Sequence, residues 1–171
     1  AFDHLRHAGP EDEILFYFCG HGSLAGAAPE FQSVNADAYD ETLVLHDSRA
    51  GGHELHDKEL AVLFAELAEQ CPNITAFLDC CHSSSVFRSR LRVRALAPDP
   101  NPRPLSTYYG DWEEGGPISV PPAPVLALTA CNRWQTAAED PQNVRRLISL
   151  TLERALKKKP EINYQELHQQ D

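Results

Sequence analysis

Methionine is absent from the 171 residues, so Ala1 is not a translational start and the sequence reads as cut from a longer one. Basic residues are scarce: 15 Lys plus Arg stand against 25 Asp plus Glu, a formal charge of −10. Nucleic-acid binding needs a basic patch. The one dense run, Arg88, Arg90, Arg92 and Arg94, sits in a chain of pI near 5.2, which argues against a nucleic-acid partner. No apolar run approaches the ~20 residues of a membrane span, and no basic, then apolar, then small-residue start marks a signal peptide. The expectation is a soluble cytoplasmic domain without a membrane partner. C-x-x-C and H-x-x-x-H are missing, as is the serine-hydrolase elbow G-x-S-x-G, since Gly22-Ser23-Leu24-Ala25-Gly26 puts its serine in the wrong place. Disulfides are not expected either. Cys19, Cys71, Cys80, Cys81 and Cys131 are odd in number, and the adjacent pair is poorly shaped for bridging, so all five read as free thiols in a reducing compartment.

What is present is an ordinary globular composition, 42% hydrophobic and 23% charged, over a length that suits one domain with a core. Three continuous apolar runs, Glu13 to Cys19, Ile74 to Cys80 and Val125 to Cys131, have the pattern of strands buried on both faces. A helix is predicted from Asp57 to Gln70, capped by Asp57 and burying Leu60, Leu63, Phe64 and Leu67. Another follows Asp140-Pro141, with Val144, Leu147, Ile148, Thr151 and Ala155 on one face and Lys157-Lys158-Lys159 at its end. Strand, helix, strand in repetition predicts an α/β domain with a parallel sheet.

Ligands bind at the carboxyl edge of such a sheet. The first run leads into Gly20-His21-Gly22-Ser23, the second into Cys81-His82-Ser83, the third into Asn132-Arg133-Trp134-Gln135-Thr136. His21 and Cys81, 60 residues apart in sequence, can thus meet at neighbouring strand tips. From Ser83 to Ala123 helix and strand signals lapse, and eight of the 13 prolines fall between Pro98 and Pro124. A loop of that length is functional or disordered. Its stretch from Val86 to Arg94, basic residues alternating with mostly apolar ones, reads either as a solvated edge strand or as a processing or regulatory loop.

Cysteine attack on a carbonyl needs a thiolate, a base beside it and N–H donors for the oxyanion. Cys81 and His21 supply the first two. The same residues also read as a buried small hydrophobe and a plain Gly-His-Gly turn. A zinc site drawn from Cys19, His21, Cys80, Cys81 and His82 is the competing chemistry, but adjacent strand residues point to opposite faces and few of the five could converge.

Five segments in order carry a family resemblance: Phe16-Tyr17-Phe18-Cys19-Gly20-His21-Gly22; Tyr39-Asp40-Glu41-Thr42-Leu43; Asp57-Lys58-Glu59-Leu60; Asp79-Cys80-Cys81-His82-Ser83; and Thr129-Ala130-Cys131 with Gln135-Thr136-Ala137. Together they resemble the caspase-like cysteine peptidases, metacaspases above all, from about Asp12 to Glu139, with a weaker echo in Ile162 to Leu167. The resemblance implies a caspase-like three-layer sandwich with a mostly parallel central sheet, in a single partial domain over residues 1–171 with a Pro/Arg-rich loop at 83–123. It also implies that the family's first strands and last strand are missing.

By matching position the resemblance makes Cys81 the nucleophile, His21 the catalytic histidine, and the N–H groups of Gly22 and Cys81 the oxyanion hole. Asp79 and Cys19 would line the pocket for the substrate residue before the cut, and a carboxylate there favours Arg or Lys. A satisfied strand-end acid is the other reading of Asp79. The acids common before Gln-Thr in the family are replaced by Arg133-Trp134. The implied activity is endopeptidase cleavage of protein or peptide substrates in a regulatory, defence or cell-death setting. Attached regulatory domains, or a partner chain supplying the missing strands, would complete it. A non-catalytic caspase-like interaction module is the alternative. The arginines at 88, 90, 92, 94 and 103 are candidate self-cleavage sites. Calcium, which many metacaspases use, would by matching position be held near Asp40 or Glu41, at Asp57 and the next residue, and seven residues past Cys81. Lys58 and Arg88 stand at two of those places, so no metal or other cofactor is expected.

Overall fold

A computed structural model describes residues 2–33, 38–80, 96–113, 118–130, 139–140 and 145–168 of the chain. The three apolar runs form strands β1 (Ile14–Cys19), β5 (Ile74–Asp79) and β6 (Val125–Thr129), which pair in parallel in the order β1-β5-β6. The α/β class and the parallel sheet thus match the caspase-like expectation. Helix α2 (Asp57–Ala68) packs Leu60, Phe64 and Leu67 against Ile14, Ile74, Ala76 and Cys80 on one face of this sheet. Phe2, from the short helix α1 (Phe2–Leu5), closes an aromatic group with Phe16 and Phe64, whose rings meet edge to face at 5.4 Å. The fully packed larger side chains here, Ile14, Phe64, Leu67 and Ile74, contribute about 1.5–3 kcal/mol each.

The other face is more open than continuous apolar runs predict. β1 alternates, with Leu15 64% exposed and Tyr17 49% exposed. Helix α3 (Leu147–Lys158) reaches this side through Ser149 on Tyr17 and Asp79, and α4 (Tyr164–His168) through the Tyr164 hydroxyl on Thr75. Run composition alone could not show that one face was lightly covered.

Three boundaries also differ from expectation. His56, not Asp57, is the N-cap of α2; its backbone N–H donates to Glu59 Oε2 at 2.9 Å, half of a capping box. The second predicted helix starts at Leu147, because Glu139–Asp140 (β7) and Arg145–Arg146 (β8) pair as a two-residue antiparallel ladder. And the Gly-His-Gly segment is not a turn: His21–Gly26 is strand β2 of a second, antiparallel sheet with β3 (Tyr39–Val44) and β4 (Leu55–His56).

Within the proline-rich stretch, residues 96–102 run along β2. Leu96 N–H donates to Gly22 O, Asp99 N–H to Leu24 O, and Gly26 N–H to Asp99 O. Gly26 has to be glycine there, since a Cβ would lie 2.8 Å from Pro100 O and 2.9 Å from Pro102 N, both backbone atoms. Farther on, Leu105 and Tyr108 join Ala27, Ala28 and Phe31 in a second small core.

Candidate active site

Parallel pairing places Cys19 at the end of β1 opposite Asp79 at the end of β5. Both strands therefore finish at one edge of the sheet, and the chain leaves β1 through Gly20 into His21 at the start of β2. A Cβ on Gly20 would lie only 2.3 Å from Cζ of Phe18, so a larger residue here would have to displace that ring. His21 is exposed and Gly22 buried. The Gly22 carbonyl is held by Leu96 N–H at 3.1 Å.

The strand behind His21 is fixed by a polar network. Thr42 donates to Glu54 Oε2 at 2.5 Å, Arg49 Nε donates to Glu54 Oε1 at 2.7 Å, and Arg49 Nη2 donates at 3.0 Å to both Ser23 Oγ and Ala97 O. One guanidinium thereby ties β2, the turn after β3 and the 96–99 segment into one unit, as its forked donors allow. These ties keep His21 at the sheet edge without touching it.

Asp79 is buried, 2% exposed, while Cys19 beside it is exposed. Ser149 of α3 donates a short hydrogen bond to Asp79 Oδ2. The Ser149 oxygen in turn lies 2.8 Å from the Tyr17 hydroxyl. A serine has one proton to give, so the order is Tyr17 to Ser149 to Asp79. Tyr17 stacks on Phe77 with centroids 5.2 Å apart. Its phenol is pushed above the ordinary value chiefly by burial, with Cys19 and the Asp79 charge adding to the shift and Ser149 opposing it. Neither Tyr17 nor Ser149 was marked by sequence reasoning. Tyr17 sits in an apolar run and reads as core, and nothing in a helical serine 70 residues from Asp79 signals their meeting.

Cys80 is packed in the main core at 2% exposure. Cys19, Cys71 and Cys80 form no disulfide. Cys81, His82 and residues 131–136 lie outside the described residues, as do Arg88, Arg90, Arg92 and Arg94. The structure therefore brings Cys19, His21 and Asp79 to one edge and carries the chain to Cys80. The Cys81 thiol and N–H lie outside the described residues, while Gly22, the other expected oxyanion donor, is within them.

A second cluster, beside the site, was legible only in part. Asp40 on β3 is fully buried. His56 Nδ1 lies 2.8 Å from its Oδ2, the Tyr108 hydroxyl donates to that oxygen at 2.9 Å, and Lys58 Nζ lies 2.5 Å from Oδ1. Burial alone would raise the Asp40 carboxyl, but hydrogen bonds from His56, Lys58 and Tyr108 with the Lys58 charge outweigh it and hold it below the usual range. Burial and the Asp40 charge push the Tyr108 phenol up. Arg103 lies over the Tyr108 ring at 4.3 Å and pairs with Glu59 at 2.7 Å. It is thus part of the packed structure, which sets it against the expectation of a candidate self-cleavage site.

A family model described as metacaspase, peptidase C14 domain, matches residues 3–89. Among curated proteins, metacaspase-1A of Aspergillus niger is 33% identical over 83 residues, metacaspase-1 of Mycosarcoma maydis 37% identical over 84, and metacaspase-2 of Trypanosoma brucei brucei 29% identical over 83. In each case 48% of this chain is covered, and the chain spans only 20–22% of the relative's length. The matched span contains His21, Asp79 and Cys81. The likeness read in Thr129 to Ala137 and in Ile162 to Leu167 lies beyond it.

Proposed function

This chain belongs to the metacaspase family, peptidase C14 domain, and on that footing we propose that it is a cysteine endopeptidase working through Cys81 and His21 and cutting after Arg or Lys. The observation that carries the reading is the Cys19–Asp79 register. It sets the strand that leads to His21 beside the strand that leads to Cys81. Cys80 supports the choice between the two adjacent thiols, since it is used up in the core.

In this reading His21 takes the proton from the Cys81 thiol, and the sulfur attacks the carbonyl carbon of the scissile bond. The Gly22 and Cys81 N–H groups hold the oxyanion, each such donor being worth roughly 10²–10³ in rate. The bond to nitrogen breaks as His21 gives its proton to the leaving amine. A water, deprotonated by His21, then hydrolyses the thioester. Asp79 receives the cationic side chain before the cut, where a charge-assisted hydrogen bond is strong. Protein or peptide substrates in the cytoplasm, a regulatory, defence or cell-death setting, and control by attached domains or a partner chain belong to the same proposal. No helix among the described residues is long and apolar enough to cross a membrane.

An acyloxymethyl ketone probe with Arg before the warhead tests it. Mass spectrometry should find the label on Cys81, and both Cys81→Ala and His21→Ala should remove it. Absence of labelling in folded full-length protein would favour the non-catalytic interaction module.

A further inference from the structure

The cluster around Asp40 contains a cation that belongs to the chain. Lys58, in the first turn of α2, has a side chain only 4% exposed. Its ammonium lies 2.5 Å from Asp40 Oδ1 and donates to Asp57 Oδ1 at 2.9 Å and Oδ2 at 3.1 Å. Two carboxylates from β3 and α2 thus converge on one buried nitrogen. The second oxygen of Asp40 is taken by His56 and Tyr108.

A calcium ion asks for 6–8 oxygen ligands, several of them carboxylate. The family resemblance would place such an ion near Asp40 or Glu41 and at Asp57 and the next residue; that next residue is Lys58, whose ammonium fills the space between Asp40 and Asp57, and the residues present do not fit the metal. To enter, calcium would have to strip a buried ammonium of both counter-charges or sit against it. Among the described residues no group of three or more His, Cys, Asp or Glu side chains is arranged to hold a metal.

We propose that Lys58 is a tethered counter-ion, filling permanently the Asp40–Asp57 cradle that would otherwise need a divalent cation, so that this domain is locked without calcium. What the ammonium joins gives the lock its reach. Asp40 connects β3 to His56 at the start of α2 and to Tyr108 of the segment that also holds Arg103. Lys58 therefore fastens the antiparallel sheet, the helix and the 103–108 segment at one point, which in a calcium-bound arrangement would come and go with the ion.

The test is calorimetry and thermal melting of the full-length protein, and its result is independent of whether Cys81 is catalytic. With calcium at up to millimolar concentration, measured against chelator and against magnesium, the wild-type transition should move by less than about 1 °C. Lys58→Met, which keeps the stem and removes the charge, should lower that transition by roughly 5 °C or more, and Lys58→Arg should recover part of the loss. A saturable calcium-binding isotherm in the wild type that disappears in Asp40→Asn would overturn the proposal. So would a Lys58→Met protein that melts with the wild type. If Lys58→Met does not fold, the wild-type isotherm decides alone.

Discussion

Ser149 donates its hydroxyl proton to the Asp79 carboxylate, tying the buried acid at the tip of β5 to helix α3. If Asp79 reads a cationic substrate side chain, the ligand competes with Ser149 for one carboxylate oxygen. A hydrogen bond to a charged carboxylate of this kind is worth about 1.5–3 kcal/mol. Ser149→Ala should therefore lower KM for peptides with Arg or Lys before the cut by up to roughly 10- to 100-fold, with kcat little changed. A rise in KM would show that Ser149 instead holds Asp79 in its working position.

The nucleophile assignment separates two adjacent cysteines. Cys80→Ala removes a sulfur from a packed core and should cost about 1 kcal/mol of stability while leaving most of the turnover. Cys81→Ala should abolish turnover. Peptide hydrolysis measured beside urea unfolding distinguishes the effects. Equal loss of activity from both, with folding intact, would contradict the assignment of Cys81.

How far the sequence revealed this depended on whether composition or long-range pairing decided each element. β1, β5 and β6 were legible because continuous apolar runs are rarely anything but strand or buried helix, and their lengths excluded the latter. The α2 face was legible through Leu60, Leu63, Phe64 and Leu67 at helical spacing. The β2-β3-β4 sheet was not, because Gly22, Ser23, Ala25 and Gly26 have weak strand preference and become strand only by pairing with residues 39–44. His21 was singled out by its place after an apolar run, whereas Asp79 entered only through the family resemblance; the structure places both at one sheet edge. Ser149, Tyr17 and the use of Lys58 as an internal cation were hidden for another reason. Lysines and serines read as surface until tertiary structure supplies the partners that make their burial tolerable.

Self-cleavage should respect the packing of the loop. Arg88, Arg90, Arg92 and Arg94 remain candidates on sequence, whereas Arg103 has a side chain 10% exposed, paired with Glu59 and laid over Tyr108. New termini in active protein, mapped by mass spectrometry, should follow one of the first four and never Arg103 while the fold is intact. A terminus after Arg103 in folded protein would show that this segment opens readily, against the structure. Finding no new termini in protein that still cleaves peptides would return residues 88–94 to a structural or regulatory role.

The last prediction concerns acid. Asp40 is fully buried, and its carboxyl is held below the ordinary range by His56, Lys58 and Tyr108 in spite of the opposing effect of burial. A group whose folded value is depressed contributes stability that is present above its unfolded value, near ~3.9, and is lost as pH falls through the folded value. At neutral pH, Asp40→Asn should cost about 3–5 kcal/mol, because it leaves the buried Lys58 ammonium without its nearest counter-charge. Below about pH 4 the Asp40 carboxylate of the unfolded chain begins to take up a proton while that of the folded protein stays charged to lower pH, so the stability it contributes starts to fall. The gap between wild type and Asp40→Asn should then narrow with each step toward stronger acid. Urea unfolding of both proteins from neutral pH to about pH 3 measures the gap directly. A difference that stays constant over the whole range would mean that the Asp40 charge, and with it the ion pair to Lys58, contributes nothing to holding β3 on α2.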